Sequence, residues 1–180
     1  MPIIWVMSKK KRLAIIGTNG LPAKYGGFET LASYLTLSLR NEFSFITFCS
    51  KRKNKVKLKT YNGSKLVYFP FSANGWQSII YDALSILYSF FFSDVLLLLG
   101  PTSSGALVFL NKIFAKKIIV NYGGVEWKRE MHSKLERGFA KFNCIIASKF
   151  ANYNIADNGA LKKILLNEFD LESCEIIEYG

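Results

Sequence analysis

Apolar and polar positions change period repeatedly along the chain. Residues 13–16 form an apolar run closed by Gly17, and after a glycine-rich loop residues 28–39 place Phe28, Leu31, Leu35 and Leu39 at helical spacing. This opening predicts strand, loop, helix. Residues 43–49 alternate as a second strand, a basic segment covers 51–59, and residues 65–69 read as a third strand. The pattern then predicts a helix over 75–92, a strand over 94–99, a helix over 103–114 entered through Gly100-Pro101-Thr102, and a strand over 117–121. A helix over 135–151, a short strand over 152–156, a helix over 159–167 and a last strand over 175–178 complete the succession. Strands separated by helices in this order predict an α/β fold, a Rossmann-like parallel sheet with helices on both faces, whose ligands sit at the carboxyl ends of the strands. No repeat or linker divides the chain, so residues 1–12 read as an N-terminal extension and 13–180 as one domain.

The longest apolar stretch, 79–99, is interrupted by Asp82 and Asp94. It therefore falls short of the roughly 18–20 apolar residues that cross a bilayer, and it reads as a buried helix followed by a buried strand. At the amino terminus an apolar segment precedes the basic Lys9 to Arg12, the reverse of a signal peptide's order.

Charge adds a constraint on partners. With 24 Lys and Arg against 13 Asp and Glu, the 180-residue chain carries a formal net charge of +11. Such a balance implies an anionic partner: a nucleic acid, an anionic membrane surface or a phosphorylated substrate. No helix-turn-helix, RNA-binding sheet motif or zinc finger is present, which argues against nucleic acid. Lys51, Arg52, Lys53, Lys55, Lys57 and Lys59 crowd one loop, with Tyr61, Tyr68, Phe69, Phe71 and Trp76 following. Two readings stay open, a solvated loop beside core aromatics or a surface for lipid headgroups at about 1 kcal/mol per basic residue. Cys49, Cys144 and Cys174 are widely spaced and His132 is the single histidine, so neither a disulfide framework nor a metal site is indicated and a reducing cytoplasm fits.

The segment from Gly17 to Thr30 is the most informative chemically. Its glycines, among them Gly20, Gly26 and Gly27, allow a tight turn and close approach of a ligand, and a helix starting near Gly27 points free N–H groups at an anion or a hydroxyl cluster. A plain strand-to-helix turn would use the same residues. The spacing is not G-x-G-x-x-G, and the second strand ends in Cys49-Ser50 where an acid would hold a ribose, which disfavours a nicotinamide cofactor. There is no P-loop pattern, and no cofactor is expected.

Three runs carry a resemblance: residues 14–30 with Tyr-Gly-Gly-Phe-Glu-Thr, residues 121–129 with Glu-Trp-Lys-Arg, and the closing residues 176–180. They resemble family 4 glycosyltransferases of the GT-B fold, in particular a subgroup often described as rhamnosyltransferases of bacterial surface polysaccharides. The resemblance covers about residues 11–180 and implies the N-terminal, acceptor-side half of a retaining enzyme that moves a sugar from a nucleotide-sugar to a lipid-linked glycan acceptor. It implies substrate-binding roles for Gly20, Tyr25, Gly26, Gly27, Glu29, Glu126, Trp127, Lys128 and Arg129, and leaves the catalytic residues unassigned. In that family the donor nucleotide lies mainly on a C-terminal half, so this half alone is expected to be inactive, with a separate or continuous donor-binding half as partner and the anionic inner face of the plasma membrane as its peripheral location. A carboxylate could bind sugar hydroxyls, an indole stack on a ring and two cations meet phosphate. The same run also reads as a hydrophobic anchor with solvated charges, and His132 as a solvated loop residue. One departure stands out: relatives carry Asp-Gly where this chain has Gly123-Gly124. That loses a polar group and keeps open a non-catalytic binding remnant of such an enzyme.

Overall fold

The computed structural model describes residues 10–24, 26–52 and 57–178. They form an eight-stranded sheet in the order β3-β4-β2-β1-β5-β6-β7-β8. The strands are β1 (Lys11–Ile16), β2 (Phe43–Ser50), β3 (Thr60–Tyr61), β4 (Ser64–Phe69), β5 (Val95–Leu99), β6 (Lys117–Tyr122), β7 (Tyr153–Ala156) and β8 (Glu175–Ile176). Helices α1 (Gly27–Ser38), α2 (Gln77–Phe92), α3 (Asn111–Phe114), α4 (Lys134–Phe150) and α5 (Gly159–Phe169) connect them. Every pairing is parallel except β3 with β4. This is the Rossmann-like arrangement that the alternating pattern predicts.

The central strands sort their side chains by the two-residue period of a pleated strand. Leu13, Ile15, Phe45, Leu97 and Leu99 face one way, into a core closed by Ala32 and Leu35 of α1. Ala14, Ile16, Phe48, Leu96 and Leu98 face the other, against Tyr81, Ile86 and Phe90 of α2, Cys144 and Ala147 of α4, and Leu165 of α5. Because β5 is covered on both faces, it reads Val-Leu-Leu-Leu-Leu without alternation and is buried throughout. Asp94 fixes the start of this strand beside β1: it accepts from the Arg12 backbone N–H at 2.8 Å and from the guanidinium at 3.2 Å.

Four details depart from the pattern. The first strand begins at Lys11, two residues before the apolar run. The segment 103–114 is not a continuous helix but a 3-10 stretch, Gly105–Leu110, leading into the single turn of α3, which ends at left-handed Ala115. Strands β3 and β4 form a hairpin that the period did not reveal, turned through Asn62 and Gly63 at positive φ. Finally, α2 is buried on one side only: Tyr81, Ser85, Ile86, Ser89 and Phe90 face the sheet, while Ile79, Ile80, Leu87 and Phe91 are exposed. Among the described residues no helix is long and apolar enough to cross a membrane.

Candidate functional site

A cleft of about 470 Å³ opens where β1, β5 and β6 end. Its floor is made by Gly17 after β1, by Leu99 and Gly100 at the end of β5, and by Tyr122 to Gly124 at the end of β6. Gly17 has φ +93°, and a Cβ there would stand 1.9 Å from the Leu99 carbonyl oxygen, so only glycine lets the two strand ends lie this close. The walls come from the first turn of α1 (Gly27, Phe28), from α2 (Ser78, Asp82), from the turn after β5 (Thr102, Ser103), and from Glu126 and Asp157. No Lys or Arg is among these described lining residues, although the chain is strongly basic. Carboxyl groups, hydroxyls and glycine backbone share the surface with Phe28, Ala73, Pro101 and Cys144.

The glycine loop is tied above this floor by hydrogen bonds. Glu29 is buried, and its Oε1 accepts from the backbone N–H of Asn19 at 2.8 Å and from the Asn19 side chain at 3.0 Å. The Tyr81 hydroxyl donates to the Thr18 carbonyl at 2.9 Å, tying α2 to the same loop. Gly20 (φ +115°) is buried against β2, where a Cβ would stand 2.6 Å from Cys49 Sγ. Gly26 caps α1, and Gly27 opens that helix at the cleft edge. Of the loop residues predicted to bind substrate, Gly27 lines the cleft, while Gly20 and Glu29 shape the loop; Tyr25 lies outside the described residues.

The second predicted run divides in the same way. Glu126 lines the cleft and pairs with Arg129 at 2.9 Å. Trp127 turns inward: its ring packs on Phe169 with centroids 5.0 Å apart, and its N–H donates to Glu168 at 3.1 Å. Glu168 also pairs with Lys128 and, at 3.2 Å, with Lys141. Burial pushes the Glu168 carboxyl up, but hydrogen bonds from Lys128, Trp127 and Lys141 outweigh it and hold it below the usual value. His132 is half-buried in the loop before α4, its backbone N–H donating to the Arg129 carbonyl at 3.2 Å.

Asp82 is the residue that pattern reading passed over. It registered only as a charge interrupting an apolar stretch, yet it is buried in the cleft wall and accepts from Ser103. Burial raises its carboxyl from 3.8 to about 7, against the opposing pull of the Ser103 hydroxyl. Its other oxygen, Oδ1, has no hydrogen-bond partner. The signal that points to it is topological, since the first residues after β5 and the facing turn of α2 flank the cleft at the ends of the central strands.

Sheet order and cleft position define the class: a Rossmann-like α/β domain with the fold of one half of a GT-B protein. Solved structures with this architecture include sucrose-phosphate synthase from Thermosynechococcus elongatus, at TM-score 0.65 and 10% identity over 94% of this chain and 47% of that one. Another is HepE from Anabaena in complex with UDP and glucose, at TM-score 0.59 and 12% identity over 96% of this chain and 45% of that one. UDP-N-acetylglucosamine 2-epimerase from Rickettsia bellii aligns at TM-score 0.56 and 18% identity, over 88% of this chain and 42% of that one. At these identities the likeness is one of fold, and the chain spans about half the length of the structures it matches. A search of curated protein sequences returns no match. The chain belongs to the family described as a domain of unknown function, DUF1972, whose model matches residues 10–180.

Proposed function

We propose that this domain is the acceptor-side half of a retaining glycosyltransferase that moves a sugar, rhamnose or another hexose, from a nucleotide-sugar to a lipid-linked glycan in bacterial surface polysaccharide synthesis. The observation that carries the reading is the chemistry of the cleft. Carboxyl groups and hydroxyls suit the hydroxyls of a sugar, whereas a donor diphosphate calls for cations that the described lining does not offer. The helix N-terminus at Gly27 supplies N–H groups for the edge of an anionic group, and Glu126, which lines the same cleft, accepts from sugar hydroxyls. A donor-binding half, on a longer chain or a separate polypeptide, holds the nucleotide, and sustained transfer requires it.

The same reading puts the protein peripherally on the cytoplasmic face of the membrane. Exposed Lys51, Arg52, Lys57 and Lys59, exposed Trp76, and the outward Leu135, Phe139 and Phe142 of α4 support it. One observation favours a non-catalytic binding module instead: Gly123 brings no carboxylate to the end of β6. Transfer on addition of a donor-binding half decides for the enzyme, and saturable acceptor binding without transfer decides for the module.

Calorimetric titration of the 180-residue chain with nucleotide diphosphate sugars and an undecaprenyl-linked sugar acceptor tests the first reading. Saturable binding of the acceptor and none of the nucleotides is expected. Tight nucleotide-sugar binding by this chain overturns the placement of the donor.

A further inference from the structure

Asp82 differs from the other acids of the cleft. Glu126 is paired with Arg129, and Asp157 accepts from the Asn158 side chain at 2.7 Å. Asp82 enters from α2, has one oxygen held by Ser103 from the turn after β5, and keeps Oδ1 buried with no protein partner. A buried carboxyl oxygen left unmatched costs stability, and such an atom calls for a partner other than the protein's own groups. Asp82 stands on the wall shared by the cleft and a second void of about 10 Å³ behind it, bordered by Ile16, Ile86 and Leu98. That void is at the lower limit for a single water of about 10–15 Å³ and far too small for a sugar. Asp82 lines the cleft as well, and a larger partner meets Oδ1 from that side once the carboxyl turns its buried oxygen outward.

We propose that Asp82 is a specificity-determining contact of this cleft, accepting through Oδ1 a hydrogen bond from one hydroxyl of a bound sugar while Ser103 holds the carboxyl in place. The inference rests on the acceptor-site reading above and adds to it the group that reads the sugar. Once Asp82 is ionised, a phosphate brings only acceptor oxygens and negative charge to this wall, so the group that Oδ1 accepts from is a hydroxyl. A site built around a ligand hydroxyl discriminates strongly against the analogue that lacks it, because the protein group is then left unmatched.

The experiment is a ligand-observed NMR titration of the 180-residue chain and its Asp82→Asn variant with the methyl glycosides of glucose, galactose, N-acetylglucosamine and rhamnose, followed by monodeoxy analogues of whichever binds. The expected result has three parts. Asp82→Asn weakens the parent glycoside about tenfold to a hundredfold. Its thermal midpoint stays equal to or above that of the unsubstituted protein. One monodeoxy analogue binds both proteins equally, while the other analogues keep the difference, which is the coupling expected of a direct contact. Uniform weakening of all analogues, or a fall in stability that accompanies the weakening, assigns Asp82 a structural role and overturns the proposal. Equal binding of the parent glycoside by both proteins overturns it too, as does failure of the unsubstituted protein to bind any of the glycosides. The acceptor titration described above judges the proposed function separately.

Discussion

The ring of Phe28 lies over Gly123 so closely that a Cβ built on Gly123 would stand 2.7 Å from Phe28 Cζ. On its other side the ring meets Gly100, where a Cβ would stand 3.1 Å from Cε2. The first turn of α1 is thus wedged against the ends of β5 and β6 by one aromatic side chain, and both strand ends carry glycine under it. Glycine at both strand ends is what lets the ring sit there.

Gly123→Asp is therefore expected to destabilise the domain by about 1–3 kcal/mol through overpacking, with Gly123→Ala at the low end. Phe28→Leu in the same chain should return part of the loss. Urea denaturation of the single and double variants measures this as a coupling of at least about 0.5 kcal/mol. Strictly additive losses would show that the ring swings aside freely.

Asp82 gives stability a pH dependence whose sign follows from its raised carboxyl. The folded state holds this proton up to about pH 7, whereas the unfolded chain releases it near the ordinary 3.8. The native state binds more protons in that window, so this group's contribution falls as pH rises from about 4 to 7, by at most about 4 kcal/mol. The other acids lining the cleft, Glu126 and Asp157, each have a partner of their own. Asp82→Asn should leave stability nearly unchanged at pH near 4 and raise it above pH near 7. Ser103→Ala, which removes the hydrogen bond that lowers the carboxyl, should push its titration further up. Thermal midpoints measured across this range check both, and parallel profiles for wild type and Asp82→Asn would refute the assignment.

The sheet was legible because its signals are local. The runs that become β1, β2, β5 and β6 are apolar where both faces are covered, and Gly17 marks the end of the first. The short β3–β4 hairpin was not read from the period; its signal is of another kind, the Asn62-Gly63 turn that joins two antiparallel strands. The 3-10 stretch after β5 could not be read, because Gly105 sits where a Cβ would meet the Pro101 side chain at 2.7 Å and the Asn143 backbone at 3.0 Å. Site directions were the least accessible. Which way Trp127 points depends on Glu168, 41 residues further on, and the role of Asp82 depends on Ser103 arriving from another turn.

Glu168 gathers the Trp127 N–H, Lys128 and Lys141 onto one carboxylate, and so joins the run after β6 to α4 and α5. Glu168→Gln should cost about 1 kcal/mol near neutral pH, a figure discounted because both lysines are about half exposed to solvent. Because the folded carboxyl lies below the ordinary 4.5, its contribution is present above that value and is lost as pH falls through the folded one. Denaturant midpoints of wild type and Glu168→Gln should therefore differ at neutral pH and converge in acid. A gap that persists in acid would assign the loss to packing instead.

The outward face of α4 bears on the membrane proposal. Leu135, Phe139 and Phe142 follow one another at helical spacing, and Leu135 and Phe142 are 87% and 56% exposed. Lys134 is exposed at the start of the same helix, so apolar side chains and a cation are offered together, the combination that lies in an anionic interface. Vesicles containing phosphatidylglycerol should retain the protein in a sedimentation assay, more weakly as salt is raised and the Debye length shrinks. Replacing Leu135 and Phe142 with Asp should reduce retention several-fold while leaving the thermal midpoint within about 1 kcal/mol equivalent of wild type, since neither side chain is in the core. If instead Lys51→Ser with Arg52→Ser abolishes retention and the α4 pair does not, the basic loop after β2 is the contact. Neutral phosphatidylcholine vesicles that bind as well as anionic ones would remove the electrostatic half of the argument.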